Sequence, residues 1–385
     1  MGNLESLFFY IIAFALSAYL VSVGFRSRQR LFCMLGLLIP IIIGGFRYGV
    51  GTDYFNYIDI FSEHAKNGFD GIGGIEAGYI ALEKFSSLFA MYDTRVLFVT
   101  TVLLTIGFFY AGLVRFKPQY PGLVTFLYLM TVLPMSLNAV RQGIAISIVF
   151  LALSYVRDRR FMLFTLWCIV AGLFHISALL VIPFYFIIRI GTINTIRQVT
   201  YSLNMRYITK FVLMLAIAVA ITINALNLAL SLPGFGKYEL YTYVNEDGAN
   251  LIFYCKLALL VAIFILSKYV ILRGDIAYNT FIMAGATTEI VLLLLGFVSP
   301  FIKRQALYFS LLYIILLTLI PRVSSNRMRK LILYNMVVCY AIGFFVVSYF
   351  ILDQSDINLV SVGRSRWFDR ISQSSWQSII PIMLI

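Results

Sequence analysis

Three arginines stand where an apolar chain accommodates them least. Arg47, Arg141 and Arg304 each lie at the end of a long apolar run, and Arg141 interrupts the stretch Leu137-Asn138-Ala139-Val140-Arg141-Gln142-Gly143. Placing an arginine at the centre of a bilayer costs about 2.5–3.5 kcal/mol on insertion scales, and less near the interface. One reading is that each guanidinium snorkels to lipid phosphates. The other is a shared anion site, because the planar guanidinium fork meets phosphate oxygens two at a time, which makes a phosphorylated ligand the leading class. Asp53 follows Arg47 after Tyr48-Gly49-Val50-Gly51-Thr52, with Tyr54 and Tyr57 just beyond. The two glycines allow a fold tight enough for Arg47 and Asp53 to meet. Aromatic faces beside carboxylates suit a sugar, whose ring stacks and whose hydroxyls donate; an ordinary loop salt bridge is the alternative. His175, in Gly172-Leu173-Phe174-His175-Ile176-Ser177, reads as a hydrogen-bonded packing residue or as part of a site. Glu289, deep in Ala286-Thr287-Thr288-Glu289-Ile290, reads as a proton site, as the partner of an arginine, or as a protonated packing group.

The elements that must hold these residues follow from composition. Of 385 residues 61% are hydrophobic and 12% charged, with a mean hydropathy of +0.91, which calls for lipid as solvent. A span needs about 20 mainly apolar residues. Such runs occur near 4–24, 31–46, 95–114, 121–137, 141–156, 161–174, 177–190, 211–230, 251–272, 277–297, 304–320 and 331–352. The two around His175 also read as one long kinked helix. The expected fold is an all-α integral membrane protein of about twelve transmembrane helices, a single polytopic domain over 1–385. Basic clusters at Arg26/Arg28/Arg30, Arg115/Lys117, Arg157/Arg159/Arg160, Arg189 through Lys210, Lys268/Arg273 and Arg322/Arg327/Arg329/Arg330 fall on alternate connections. Positive-inside topology makes that face cytoplasmic, puts both termini on the other side, and explains the net charge of +13 without nucleic acid. Two segments are then extracytoplasmic: 47–94, within which Tyr79, Leu82, Phe85 and Phe89 have the spacing of a surface helix, and 231–250. No nucleotide-binding P-loop is present, which argues against an ATP-driven pump, and four scattered cysteines offer neither a zinc site nor a disulfide framework.

Five motifs in order resemble the Wzy-like bacterial polysaccharide polymerases of EpsG type. They are Phe46-Arg47-Tyr48-Gly49-Val50-Gly51-Thr52-Asp53-Tyr54-Phe55-Asn56-Tyr57, Glu76-Ala77-Gly78-Tyr79, Asn138-Ala139-Val140-Arg141-Gln142-Gly143-Ile144-Ala145, Phe174-His175-Ile176-Ser177-Ala178 and Arg304-Gln305-Ala306-Leu307-Tyr308-Phe309. The tail after residue 352 lies outside the resemblance.

The resemblance implies a GT-C-like helical fold in the bacterial inner (plasma) membrane, with its active site on the periplasmic side. It also implies glycosyl transfer: a growing glycan leaves its undecaprenyl diphosphate and joins the next lipid-linked repeat, building an O-antigen, capsule or exopolysaccharide. Arg141 and Arg304, with Arg47, would meet charge on the departing diphosphate. Asp53 or His175 would be the general base, with Asp53 favoured and His175 orienting. Glu76, Tyr54, Tyr57, Tyr79, Gln142 and Tyr308 would hold sugars. No cofactor is expected, and no metal, since arginines supply the positive charge. The partners implied are the undecaprenyl-diphosphate-linked oligosaccharide, membrane lipid, and a chain-length regulator and flippase of the same pathway. The rival readings are a lipid-linked oligosaccharide flippase, an O-antigen ligase and a membrane O-acyltransferase. A flippase would favour repeated halves, and none is visible.

Overall fold

The computed structural model describes residues 4–51, 53–68, 75–89, 93–189, 274–296 and 300–348, and among these every regular element is helical. In chain order they are α1 (Leu4–Ser27), α2 (Arg30–Gly45), α3 (Tyr54–Asn67), α4 (Ala77–Ser87), α5 (Thr94–Phe116) and α6 (Pro121–Thr131). There follow α7 (Leu133–Asn138), α8 (Val140–Arg157), α9 (Phe161–Gly172), α10 (Ile276–Leu295), α11 (Pro300–Ala306), α12 (Ser310–Leu319) and α13 (Arg327–Ser348).

Six helical stretches are long and apolar enough to cross a membrane: Leu4–Ser27, Thr94–Phe116, Val140–Arg157, Ile276–Leu295, Ile302–Val323 and Arg327–Ser348. Four shorter apolar helices, Arg30–Gly45, Pro121–Thr131, Phe161–Gly172 and Ile176–Arg189, coincide with other expected runs. The runs at 211–230 and 251–272, the segment 231–250 and the tail after 352 lie outside the described residues. Among the described residues, then, ten of the twelve expected runs are helical, six of them at full spanning length. The break after Thr131 divides the expected run 121–137, and the break after Gly172 falls at the expected boundary between 161–174 and 177–190.

Packing is inside out relative to a water-soluble bundle. On α8 every residue from Gln142 to Ser154 is buried, and α12 is buried on all sides, as expected of a helix apolar all round. Against α8 lies α5, whose Phe116 stacks on Phe150 (4.9 Å) while Phe109 stacks on Tyr128 of α6 (3.8 Å, 6° between planes). Buried polar groups gather on α10 (Asn279, Thr280, Thr288, Glu289) and at Gln305. The outer helices expose apolar side chains: Phe8, Phe9 and Ile12 on α1, Met162 and Leu166 on α9, Leu331 and Ile332 on α13. An apolar surface of that extent is at rest against hydrocarbon and not against water. Helices approach closely where side chains are small; a Cβ on Gly36 would meet the Ser17 carbonyl oxygen at 2.7 Å.

The expected surface helix over Tyr79–Phe89 corresponds to α4, but its buried side differs from the one that spacing singled out. Tyr79, Glu83 and Ser86 face inward, whereas Phe85 and Phe89 are exposed and pack on each other at 5.2 Å. The reason is that α4 packs on α5, where Ser86 meets Thr100, and its inward side also meets the buried His64 of α3 through Glu83.

Candidate active site

Three interruptions of helix meet at one end of the molecule. α7 stops at Asn138 and α8 starts at Val140; the intervening Ala139 has φ −89°, ψ 69°. α9 stops at Gly172, and His175 lies in extended backbone (φ −153°, ψ 111°) before a 3-10 turn over Ile176–Val181. α11 passes through a 3-10 turn, Leu307–Phe309, into α12. Backbone freed at such breaks needs partners, and at membrane depth it survives only where protein supplies them.

The polar chain from 47 to 89 supplies them. The backbone N–H of Val140, an orphan donor at the start of α8, donates to the Tyr57 hydroxyl (3.1 Å). The Asn138 side-chain oxygen accepts from the Asp53 N–H (3.0 Å). Gly51 sits beside that amide with φ +100°, a conformation suited to glycine, and a Cβ there would meet Asn138 Oδ1 at 3.2 Å. From the first turn of α4 the Gly78 N–H donates to the Leu173 carbonyl (2.8 Å). A Cβ on Gly78 would come within 2.7 Å of that same oxygen. Residue 78 therefore needs to be glycine for α4 to reach the break that carries His175.

Glu76, the residue before α4, is where these connections converge. Its Oε2 accepts from Arg141 Nη1 at 2.5 Å, its Oε1 lies 3.2 Å from His175 Nδ1, and the Ile176 N–H approaches the same oxygen at 3.4 Å. Burial alone would raise the Glu76 pKa, but the His175 hydrogen bond and the Arg141 charge outweigh it and hold the carboxyl at about 2. A carboxylate only accepts, so His175 must carry its proton on Nδ1 to bond it, and in the neutral ring Nε2 then presents the lone pair. The Arg141 guanidinium also lies 6.0 Å from the Tyr79 ring centroid. Arg141 occupies the first turn of α8, a turn without acidic residues, so its charge adds to the positive end of the helix dipole. The result is a carboxylate-anchored histidine beside an ion-paired guanidinium at the positive end of a helix, where an anion is favoured.

The other expected residues distribute around this cluster. Arg47 is buried; its Nη1 donates to the Gly44 carbonyl (2.7 Å), its Nη2 to the Leu137 carbonyl (3.0 Å), and its guanidinium lies over the Phe98 ring (4.5 Å). Burial lowers its pKa to about 10, still cationic at neutral pH. Tyr54 is buried and stacks on Phe98 at 4.9 Å. Gln142 donates to the Arg304 carbonyl (3.2 Å), pinning α11 beside the start of α8, and Tyr308 shares a 2.8 Å hydrogen bond with Ser177. Tyr57, Tyr79 and Tyr308 are all buried, with Tyr57 and Tyr79 5.9 Å apart. Glu289 is fully buried on α10, and its Oε2 has no hydrogen-bond partner. Glu76 and His175 are the metal-type ligands of the cluster, and no third His, Cys, Asp or Glu joins them among the described residues.

Sequence reasoning missed the His64–Glu83 pair, 2.5 Å apart and almost fully buried between α3 and α4. Burial pushes the Glu83 carboxyl up, against the pull of the His64 bond. The signal was available, because Tyr54, Tyr57 and Phe61 recur at helical spacing and the next turn of that face brings His64.

An all-helical membrane protein with a charged cluster held at three helix breaks is the class these observations define. The chain belongs to the EpsG family, whose model matches residues 30–359. That family marks it as a membrane protein of the polysaccharide-polymerase type. No curated protein and no solved structure matches the chain.

Proposed function

We propose that this chain is a GT-C-like membrane glycosyltransferase that joins undecaprenyl-diphosphate-linked oligosaccharide repeats into a surface polysaccharide on the extracytoplasmic side of a bacterial inner membrane. The observation that carries this reading is the Arg141–Glu76–His175 cluster at the N-terminus of α8. In the reaction, an acceptor hydroxyl of one lipid-linked repeat attacks the anomeric carbon of the growing glycan. The anomeric C–O bond to the diphosphate breaks, its electron pair leaves with the diphosphate, and the hydroxyl proton goes to a base.

His175 is that base in the geometry seen here, with Nε2 as the accepting atom and Glu76 fixing the ring through Nδ1. This reverses the order expected from sequence, which favoured Asp53. Arg141 and the positive end of α8 stabilise the charge gathering on the diphosphate. Arg304, whose backbone carbonyl Gln142 ties to α8, would add its side-chain charge to that stabilisation. Arg47 and the buried tyrosines act in this reading as supports: Arg47 braces two carbonyls, and Tyr57 ties α3 to α8. Asp53 holds Asn138 through its backbone.

Polymer formation from purified lipid-linked repeat tests the assignment. His175→Gln should lower the rate by two to four powers of ten, about the range of general-base loss. Asp53→Asn, which keeps shape and hydrogen bonding but cannot accept a proton, should stay within about ten-fold of wild type with His175 as the base. The reverse order would return the base role to Asp53. At the level of the cell, gene deletion should collapse the surface-glycan ladder to single repeats. Absence of all surface glycan would point to a flippase, and normal length without acetate to an acyltransferase.

A further inference from the structure

A second concentration of cations lies at the other end of α8. From Arg141 to Arg157 that helix rises about 24 Å, at about 1.5 Å per residue. There a cleft of about 710 Å³ opens among α5, α8, α10 and the start of α13, lined by Arg115, Lys117, Arg157, Arg322 and Lys330. Five cations share this space with Asp275, which caps α10 by accepting the Tyr278 N–H (3.1 Å), and with Asp158 nearby. Asp158 is divided between Arg115 (2.5 Å) and Arg157 (2.9 Å). Arg322 bonds the neutral side chains of Gln119 and Asn279, and Lys330 lies 5.9 Å from the Tyr120 ring. Positive charge is therefore in clear excess and is directed into a cleft rather than spread over the surface.

Two further features point to an occupant. The Tyr278 hydroxyl, on a residue lining the cleft, is shielded from solvent and has no hydrogen-bond partner. Buried hydroxyls seldom remain so. The wall beside it is Gly274, with φ +113°, where a Cβ would meet Arg322 Nη1 at 3.2 Å; a side chain there would intrude on the arginine that faces the cleft. A volume of this size matches a small-molecule site and exceeds what one phosphate fills.

We propose that this cleft binds a polyphosphate group, two or more linked phosphates borne by a soluble molecule or by a lipid, at a site separate from the Arg141 cluster. Arginines meet the oxygens through paired N–H donors and the two lysines as point charges. Lys117, in the left-handed region at φ 49°, ends α5 so that its chain turns at the cleft.

The test uses the full chain in nanodiscs of zwitterionic lipid, titrated with inorganic pyrophosphate and separately with farnesyl diphosphate as a lipid-borne probe. Lys117→Asn, which tolerates the left-handed backbone, is combined with Lys330→Gln; both positions are at the surface and leave the core intact. All titrations are made in an Arg141→Lys background, which weakens the other diphosphate site; that chain should bind at least one probe, and the double variant on the same background about ten-fold or more weakly. Binding of farnesyl diphosphate alone identifies a lipid-borne group, and binding of both a soluble one. No binding of either probe, or undiminished binding by the double variant, overturns the proposal.

Discussion

Glu76 performs two tasks at once: it neutralises Arg141 and it orients His175. Its pKa of about 2 lies below its ordinary 4.5, so the sign of its pH linkage is fixed. The stability it contributes is fully present above about 4.5 and is lost as pH falls towards about 2. Wild type should therefore lose on the order of 3 kcal/mol more than Glu76→Gln between neutral pH and the bottom of that window. Paired thermal unfolding curves in detergent check this; equal losses in the two proteins would mean that the ion pair adds nothing to folding. Arg141→Lys asks a different question at the same cluster. Lysine keeps the charge for Glu76 but cannot present a fork to a diphosphate, so polymer synthesis should fall by about ten-fold or more at unchanged protein level. A fully active lysine variant would make phosphate snorkelling the right account of residue 141.

At the scale of elements, the site depends on how closely α4 abuts the break after α9. Gly78→Ala would force a Cβ against the Leu173 carbonyl, moving Glu76 away from His175. Displacements of about 1 Å in a reacting geometry lower rates by up to about a hundred-fold. We expect Gly78→Ala to express and to lose one to two powers of ten in polymer formation. Gly107→Ala on α5, where a Cβ meets nothing within 4 Å, is the matched control and should be close to neutral. Normal activity in Gly78→Ala would show that α4 can shift without disturbing the pair. The His64–Glu83 contact joins α4 to α3 through buried polar groups, in addition to the packing of α4 on α5.

At the scale of the molecule, Arg115, Arg157 and Arg322 converge at one end of the helices, and Arg141 lies at the other end of α8. The positive-inside bias then predicts that both termini face away from the cytoplasm. A C-terminal alkaline phosphatase fusion should be active, and a fluorescent protein that matures only in the cytoplasm should stay dark at the same position. The reverse pair of signals would put the tail inside and make the span number odd.

The apolar runs determined by themselves that the chain is helical and membrane-embedded, because a lipid-solvated segment must satisfy its backbone bonds internally. They located the ten apolar helical regions that fall within the described residues. They also pointed to Arg141 and His175, since charged and titratable groups in such runs stand out. The runs placed the breaks before α8 and around His175, but not the one after Thr131, because the apolar character of 121–137 continues through Thr131 and Val132. Nor could they pair the site. Glu76 stands 65 positions from Arg141 and 99 from His175, and no periodicity spans such separations. Tertiary structure alone made Glu76 the centre, because a buried carboxylate is stable only where a cation and hydrogen-bond donors are brought to it.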